Sequence, residues 1–457
     1  MNKKILFFTI LTPLVLFGIG CKGLSADQQA AIKPITLNYW TVYNDTAQLR
    51  AFADAYTKIR PYVTINIRQV RSDTFDNLFV TALADNVAPD ITSMHIRDLA
   101  KHQGRLDPMP SSVQVATMYE KGKYRKELVV EQVTQNMPSK TEITKNYIGT
   151  VAPDVTIGGN VYGLPLAVDT LAVYYNRGLL DKAGIPQPPT TWAEFLGAVE
   201  KTTAYNSRSE VVQSGVAMGT SNNISNAFDI FSALLLQNKV VIAKGSSVQL
   251  TNGLEPKTAE SHPVIQTLNF YTDFARPTKK VYSWNADMKD AFESFVSGQS
   301  AFYIGYAFEY KRMQARAPQM VIESAPLFQL NADDPQNIAN YWVETVVKEG
   351  KNKDEAWDFV RFMTSAENVK KYTEATGQLS PYRAQISELL NDPVRGPFAT
   401  QALVAQHWYR GKDFPAAKKA FDDLITGYLR PYALDEKPIE RDVQLVNRAA
   451  QVLRQTY

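Results

Sequence analysis

One cysteine and four histidines in 457 residues leave little material for thiolate, disulfide or histidine-metal chemistry. Cys21 cannot form an internal disulfide, and His95, His102, His262 and His407 show no metal-ligand spacing such as HExxH. No GxSxG elbow, Walker loop or GxGxxG behind a strand is present, so the sequence offers no nucleophile or nucleotide motif. An excess of one charge is missing too: 49 Lys and Arg face 46 Asp and Glu. A nucleic-acid binder would carry a basic face, and no such excess exists. Past the first twenty residues, no apolar run approaches the about 20 residues that cross a bilayer. Asp and Glu are plentiful enough for a glycosidase pair, yet no pair stands out.

What is present begins at the N-terminus. Lys3 and Lys4 precede an apolar run from Ile5 to Ile19, broken by Pro13, and Gly20 leads into Cys21. The run is short for a membrane span and suits an export signal. The tetrad Gly18-Ile19-Gly20-Cys21 resembles a bacterial lipobox, with Gly18 where Leu is usual and Leu16 two residues early. Residues 1–20 are therefore expected to be a lipoprotein signal peptide, Cys21 the lipid attachment, and 21–34 a flexible tether. The other reading is an ordinary secretory signal followed by a free cysteine. Loss of Lys3 and Lys4 takes the formal charge from +3 to +1. Lys22 supplies no acidic retention signal, which leaves inner or outer membrane open.

Behind the tether, Ile35–Val42 alternates as a strand. Asp45 and Gln48 form a capping arrangement for a helix with Leu49, Phe52, Ala53, Tyr56 and Ile59 on one face, ended by Pro61. Val63, Ile65 and Ile67 alternate again, Phe75, Leu78, Phe79, Ala82 and Leu83 mark a second helix, and Pro89-Asp90-Ile91 opens a third strand. This order predicts an α/β lobe with a largely parallel sheet. Residues 111–150 are polar and weakly periodic, and are expected to form a surface excursion. A second α/β stretch follows, with an apolar strand Leu171–Tyr175 on which one of Tyr174 and Tyr175 should face inward. Thr191 and Glu194 form a capping box for a helix with Trp192, Phe195 and Val199 inward. Ala291, Phe292, Phe295 and Val296 end at Gly298, before the strand Ala301–Ile304. Asn352 and Glu355 begin a helix carrying Ala356, Trp357, Phe359, Val360 and Met363, and the tail from Phe398 is helical in pattern.

Five stretches in one order resemble the extracellular solute-binding proteins of ABC importers, the group that includes maltose-binding protein. The first runs from Ala82 to Ile91. The most specific combines Val161-Tyr162-Gly163-Leu164-Pro165, Val168-Asp169-Thr170-Leu171, Tyr174-Tyr175-Asn176-Arg177-Gly178, Ala183-Gly184-Ile185 and Pro189-Thr190-Thr191-Trp192. Then come Phe295 to Phe302, Lys351 to Phe359, and Thr364-Ser365-Ala366-Glu367 with Lys371-Tyr372 and Ala375-Thr376-Gly377. The resemblance implies an α/β, two-lobed periplasmic-binding-protein-like fold of type II, each lobe a mostly parallel sheet flanked by helices, with a C-terminal helical tail. It places three hinge crossings near Leu164–Asp169, Ala325–Leu327 and Thr376–Pro381. The N-terminal lobe would hold 35–164 and 327–376, and the C-terminal lobe 165–326 and 377–457.

The resemblance also implies a monomeric receptor without catalysis or cofactor. It would capture a sugar or oligosaccharide between the lobes and pass it to ABC permease subunits, held to the membrane by its lipid. Alternatives are another polar solute, such as a polyol or a glycerol phosphate ester, or a surface lipoprotein that hydrolyses glycans. Sugars offer an apolar C–H face and a polar rim, which aromatic plates and carboxylates or amides suit. The expected ligand residues are Tyr43, Asn44, His95, Trp284, Tyr306 and Glu309 in loops, Asp169 at the first crossing, Trp342 in the returning segment and Trp408 in the helical tail. Asn340 and Arg97 lie beside them, Arg97 being the one basic residue of the group. Trp40, Trp192 and Trp357 are expected in the core.

Overall fold

The computed structural model describes residues 24–124 and 126–457, so the expected export signal and Cys21 lie outside the described residues. Strands β1 (Ile35–Thr41), β2 (Val63–Gln69) and β3 (Ile91–His95) run parallel with β1 in the middle. The helices Thr46–Ile59 and Ser72–Ala84 connect them. Asp45 starts the first helix by accepting the N–H groups of Ala47 and Gln48 at 2.9 and 3.0 Å, and Leu49, Phe52, Ala53 and Tyr56 bury its inner face. Trp40 is buried within β1.

Residues 111–150 are more ordered than their composition suggests. β4 (Ser112–Lys121) and β5 (Glu127–Asn136) pair antiparallel along their whole length, and Ser139 caps a helix Lys140–Asn146. Val113, Val115, Ala116 and Val130 are buried, and β4 packs on the helix Lys353–Met363. The polar outer face of the ribbon hides this stripe from a reading by average polarity. The expected tether is corrected as well. Ser25 and Gln28 form a capping box for a helix Ala26–Ala31 that packs on β5, and Gln28 Nε2 donates to the Val130 carbonyl at 3.1 Å.

The second sheet centres on β6 (Asp169–Asn176), buried along its length. β7 (Val211–Val216) lies parallel to β8 (Ser300–Tyr306), whereas β8, β9 (Ile322–Pro326) and β10 (Asn337–Asn340) are all antiparallel to β6. This sheet is therefore mixed rather than mostly parallel. β6 arrives from the other lobe rather than through a βαβ crossover, so the rule that makes such units parallel does not act on it. With partners on both edges and cover on both faces, β6 buries Tyr174 and Tyr175 together. Their hydroxyls donate to the Tyr306 carbonyl at 2.8 Å and to Glu323 at 2.6 Å.

β11 (Trp342–Val346) returns to the first sheet, antiparallel to β3. The middle passage is thus at Tyr341 and not at Ala325–Leu327, because Ala325 and Pro326 pair with β6 and Asn340 pairs with Asp169. Residues 337–340 accordingly belong to the second sheet. Elsewhere Leu164 pairs with Glu344 in the first sheet, and Val168 pairs with Leu379, so two connecting segments run side by side. The helices Phe414–Leu429 and Pro438–Gln455 pack on each other in the tail. Among the described residues no helix is long and apolar enough to cross a membrane.

Candidate functional site

A cleft of about 710 Å³ lies between the lobes. From the first sheet, the loop after β1 brings Tyr43 and Asn44, the end of β3 brings His95 and Arg97, and β11 opens with Trp342. From the second, Asp169 begins β6, Asn340 ends β10, and Phe308 and Glu309 follow β8. Six of the nine residues expected from sequence line this space: Tyr43, Asn44, His95, Asp169, Glu309 and Trp342.

Tyr43 is 64% exposed and leans on Trp342, with ring centroids 5.2 Å apart. The edge of Trp342 meets His95 at 5.1 Å, giving the first lobe a continuous aromatic surface. Asn44 is fixed from behind by Glu344, a fully buried carboxyl that accepts from Tyr39 at 2.5 Å and from Ser93 and Asn44 at 2.7 Å. Burial raises the Glu344 pKa. Because the amide nitrogen of Asn44 is committed inward, its oxygen is the group left to meet a ligand donor.

The Arg97 amide donates to His95 Nδ1 at 3.1 Å, which puts the ring proton on Nε2, and Nε2 donates to Asn340 Oδ1 at 2.6 Å. Burial pushes the His95 pKa down to about 3, so this link between the sheets is a neutral one. Asp169 receives the amides of Thr170 and Ala307 on one oxygen and of Phe308 on the other, at 2.8 to 2.9 Å. It braces the loop that presents Phe308. Burial pushes its pKa up to about 7, against the pull of those amides. Glu309 accepts from Tyr303 at 2.7 Å and from the Tyr306 amide at 2.8 Å, and burial raises its pKa too.

Three expected ligand residues lie elsewhere. Trp284 is fully buried and donates its indole N–H to Asn223 at 3.0 Å. Its polar neighbour Ser283 is buried too, bonding the Val216 carbonyl at 2.9 Å, so the polar flank marks a tucked turn and not exposure. Trp408 stacks between Phe228 and Phe421 at 5.6 and 5.9 Å, which makes the aromatic cluster of the tail core. Tyr306 is buried, donates to Asp229 at 2.6 Å, and backs Phe308 in a stack at 5.8 Å. Phe308, 48% exposed, is the ring that reaches the cleft, and sequence reasoning missed it. Its position two residues beyond Tyr306 at a strand end was the available signal. Phe292, Arg312 and Phe414 were missed as well. Arg312 lies 4.0 Å over the Phe292 ring.

The cleft carries five carboxyl groups, from Asp98, Asp169, Asp290, Glu293 and Glu309, against the guanidiniums of Arg97 and Arg312. Arg97 forms an ion pair with Asp229 and lies 4.5 Å over the Phe414 ring. Aromatic faces with hydrogen-bond acceptors thus dominate a site short of free positive charge.

The sequence profile of the bacterial extracellular solute-binding proteins matches residues 40–370. The melibiose/raffinose/stachyose-binding protein MelE of Bacillus subtilis is 24% identical over 388 residues, 82% of this chain and 80% of its own. Binding proteins of Brucella abortus and Brucella suis are 22% identical over 240 residues, 52% of this chain and 55% of theirs, so the chain spans about half the length of these curated relatives. In fold, the chain is similar to a cyclo/maltodextrin-binding protein complexed with maltotetraose, at TM-score 0.68 and 18% identity over 93% of this chain and 97% of that one. The sugar-binding protein MalE of Xanthomonas citri superposes at TM-score 0.67 with 17% identity, covering 92% and 98%. With a profile match across most of its length and this two-lobed architecture, the chain belongs to the bacterial extracellular solute-binding proteins.

Proposed function

We propose that the protein is a lipid-anchored receptor that captures a sugar or short oligosaccharide between its lobes and presents the closed form to the permease of an ABC importer. The observation that carries this reading is the pairing of aromatic faces from both lobes, Tyr43 and Trp342 opposite Phe308, in one cleft with the acceptors Asn44, Asp169 and Glu309. A ligand that touches both lobes gains its affinity in the closed state, which is what closure requires. The names of MelE and of the structural neighbours, all saccharide binders, support a neutral carbohydrate.

The excess of carboxyl groups disfavours a glycerol phosphate ester, which would seek unpaired Arg or Lys. Calorimetric titration with melibiose, raffinose, maltotetraose, a polyol and glycerol phosphate tests the ligand class. Binding of a neutral saccharide is expected, and binding of glycerol phosphate alone would overturn it. Growth with labelled palmitate tests the anchor: label should enter the wild type and be lost in Cys21→Ser.

A further inference from the structure

The hairpin β4–β5 carries a feature that ligand capture leaves unused. Its end holds Lys121, Lys123 and Lys126, all exposed, around Tyr124, which is 94% exposed. Lys126 pairs with Glu120 at 2.6 Å, while Lys121 and Lys123 form no salt bridge among the described residues. Lys123 lies 5.6 Å over the Tyr124 ring. Glu120 and Glu127 stand at the same end, so the three lysines leave a small net positive charge, and an exposed aromatic beside it suits lipid headgroups, where the ring lies at the interface and lysines meet anionic phosphates.

The N-terminus is docked on the same hairpin. The helix Ala26–Ala31 packs on β5 through the bond from Gln28 to Val130, and Leu24 is tied to the same helix by Gln29 Nε2 at 3.0 Å. Cys21 stands three residues before Leu24, a reach of about 10 Å. Val130 pairs with Met118, three residue pairs from the last pair, Lys121 with Glu127, which is about 10 Å along the ribbon. Adding the start of the helix and the Gln28 side chain, a lipid on Cys21 holds the hairpin end within roughly 40 Å of the surface, with a docked helix in place of a long leash.

The geometry points to the end of the β4–β5 hairpin, through Lys121, Lys123 and Tyr124, as a second membrane contact that takes the headgroups of an anionic lipid surface. The contact sets how the receptor stands on its bilayer. It rests on the lipid-anchor reading above. An acyl anchor and a small basic site together give a defined attachment, where either alone leaves the orientation loose.

The test uses the full acylated chain, purified from membranes and reconstituted into vesicles of phosphatidylcholine alone or with phosphatidylglycerol. Lysine acetylation by a water-soluble reagent is read by mass spectrometry, with exposed Lys257 as the internal reference. On anionic vesicles Lys121 and Lys123 should react about fivefold more slowly than on neutral ones, and the difference should vanish at high salt. Tyr124→Ser should reduce the protection without changing the Lys257 rate. Equal rates on the two vesicles would overturn the contact while leaving the anchor standing. Protection seen in native membranes but in neither vesicle would assign the hairpin to a protein partner and overturn it too. A chain recovered without acyl groups, visible in the same mass spectra, would remove the anchor and the contact together.

Discussion

Arg97, on the turn after β3, forms an ion pair with Asp229 of the helix Ala227–Gln237, joining the two lobes through side chains that are 11% and 7% exposed. The guanidinium is inserted between Phe228 and Phe414, and Tyr306 holds the other carboxylate oxygen at 2.6 Å. A second pair runs the opposite way, from Arg410 of the tail to Asp154 at 2.8 Å, with Tyr341 on the same carboxylate. Removing one partner of a buried pair costs about 3–5 kcal/mol, because the remaining charge is stranded. In the open state Arg97 would return to water, so the cost falls on closure. Asp229→Ala should therefore expand the ligand-free protein and weaken ligand binding. Small-angle scattering checks this, and an unchanged radius of gyration would contradict it.

Trp408 and Tyr43 should separate stability from binding. Trp408 is packed among Phe228, Phe421 and Tyr409, so Trp408→Ala should cost about 3–5 kcal/mol of folding stability. Tyr43 is exposed at the cleft and supports no core. Tyr43→Ala should leave the melting curve nearly unchanged and weaken saccharide binding by about 1–3 kcal/mol. Melting and calorimetric titration of both variants check the pair, and the opposite pattern would exchange their roles.

Gly305 has no room for a side chain. A Cβ there would collide with Glu309 Oε2 and the Tyr303 ring, two groups that join Asp169 in fixing the loop after β8. Gly305→Ala should cost about 1–3 kcal/mol of stability and misplace Glu309. A variant that folds and binds like wild type would show that Glu309 is not held by this contact.

Local chemistry made much of the fold legible. The Asp45 cap, the Pro61 stop and the inward faces of Phe52 and Trp192 lie where their spacing put them. Sequence could not show which sheet an extended segment joins, since Ala325–Leu327 and Tyr341 are equally strand-flanked, and hydrogen-bond partners alone distinguish them. The same holds for aromatic side chains. Trp408 and Trp284 are set by Phe228 and Asn223, 180 and 61 residues away, and no local pattern reports that. Asp169 was recognised by its place at a connection, and its partners, the amides of Ala307 and Phe308, became visible only in three dimensions.

His407 offers a test in pH. It is 8% exposed, its Nε2 has no hydrogen-bond partner among the described residues, and Arg97, His95 and Arg410 surround it with positive or neutral groups. Burial, then the repulsion of Arg97 and Arg410, drives its pKa well below 6.5. The folded state therefore binds fewer protons here than the unfolded chain. The stability it permits is present above pH 6.5 and is lost as pH falls below that value, because protonation then favours the unfolded form. Asp154 and Asp169, pushed up to about 6 and about 7, act in the opposite sense, since folding favours their protonated forms. They act alike in wild type and in His407→Leu, so the difference between the two proteins isolates the histidine. A ring that stays neutral while its unfolded counterpart titrates near 6.5 loses about 2 kcal/mol between pH 8 and pH 5. His407→Leu should therefore gain about that much relative to wild type on going from pH 8 to pH 5. Urea denaturation at the two pH values measures it, and a difference that does not change with pH would mean that His407 titrates as freely in the folded protein as in the unfolded chain.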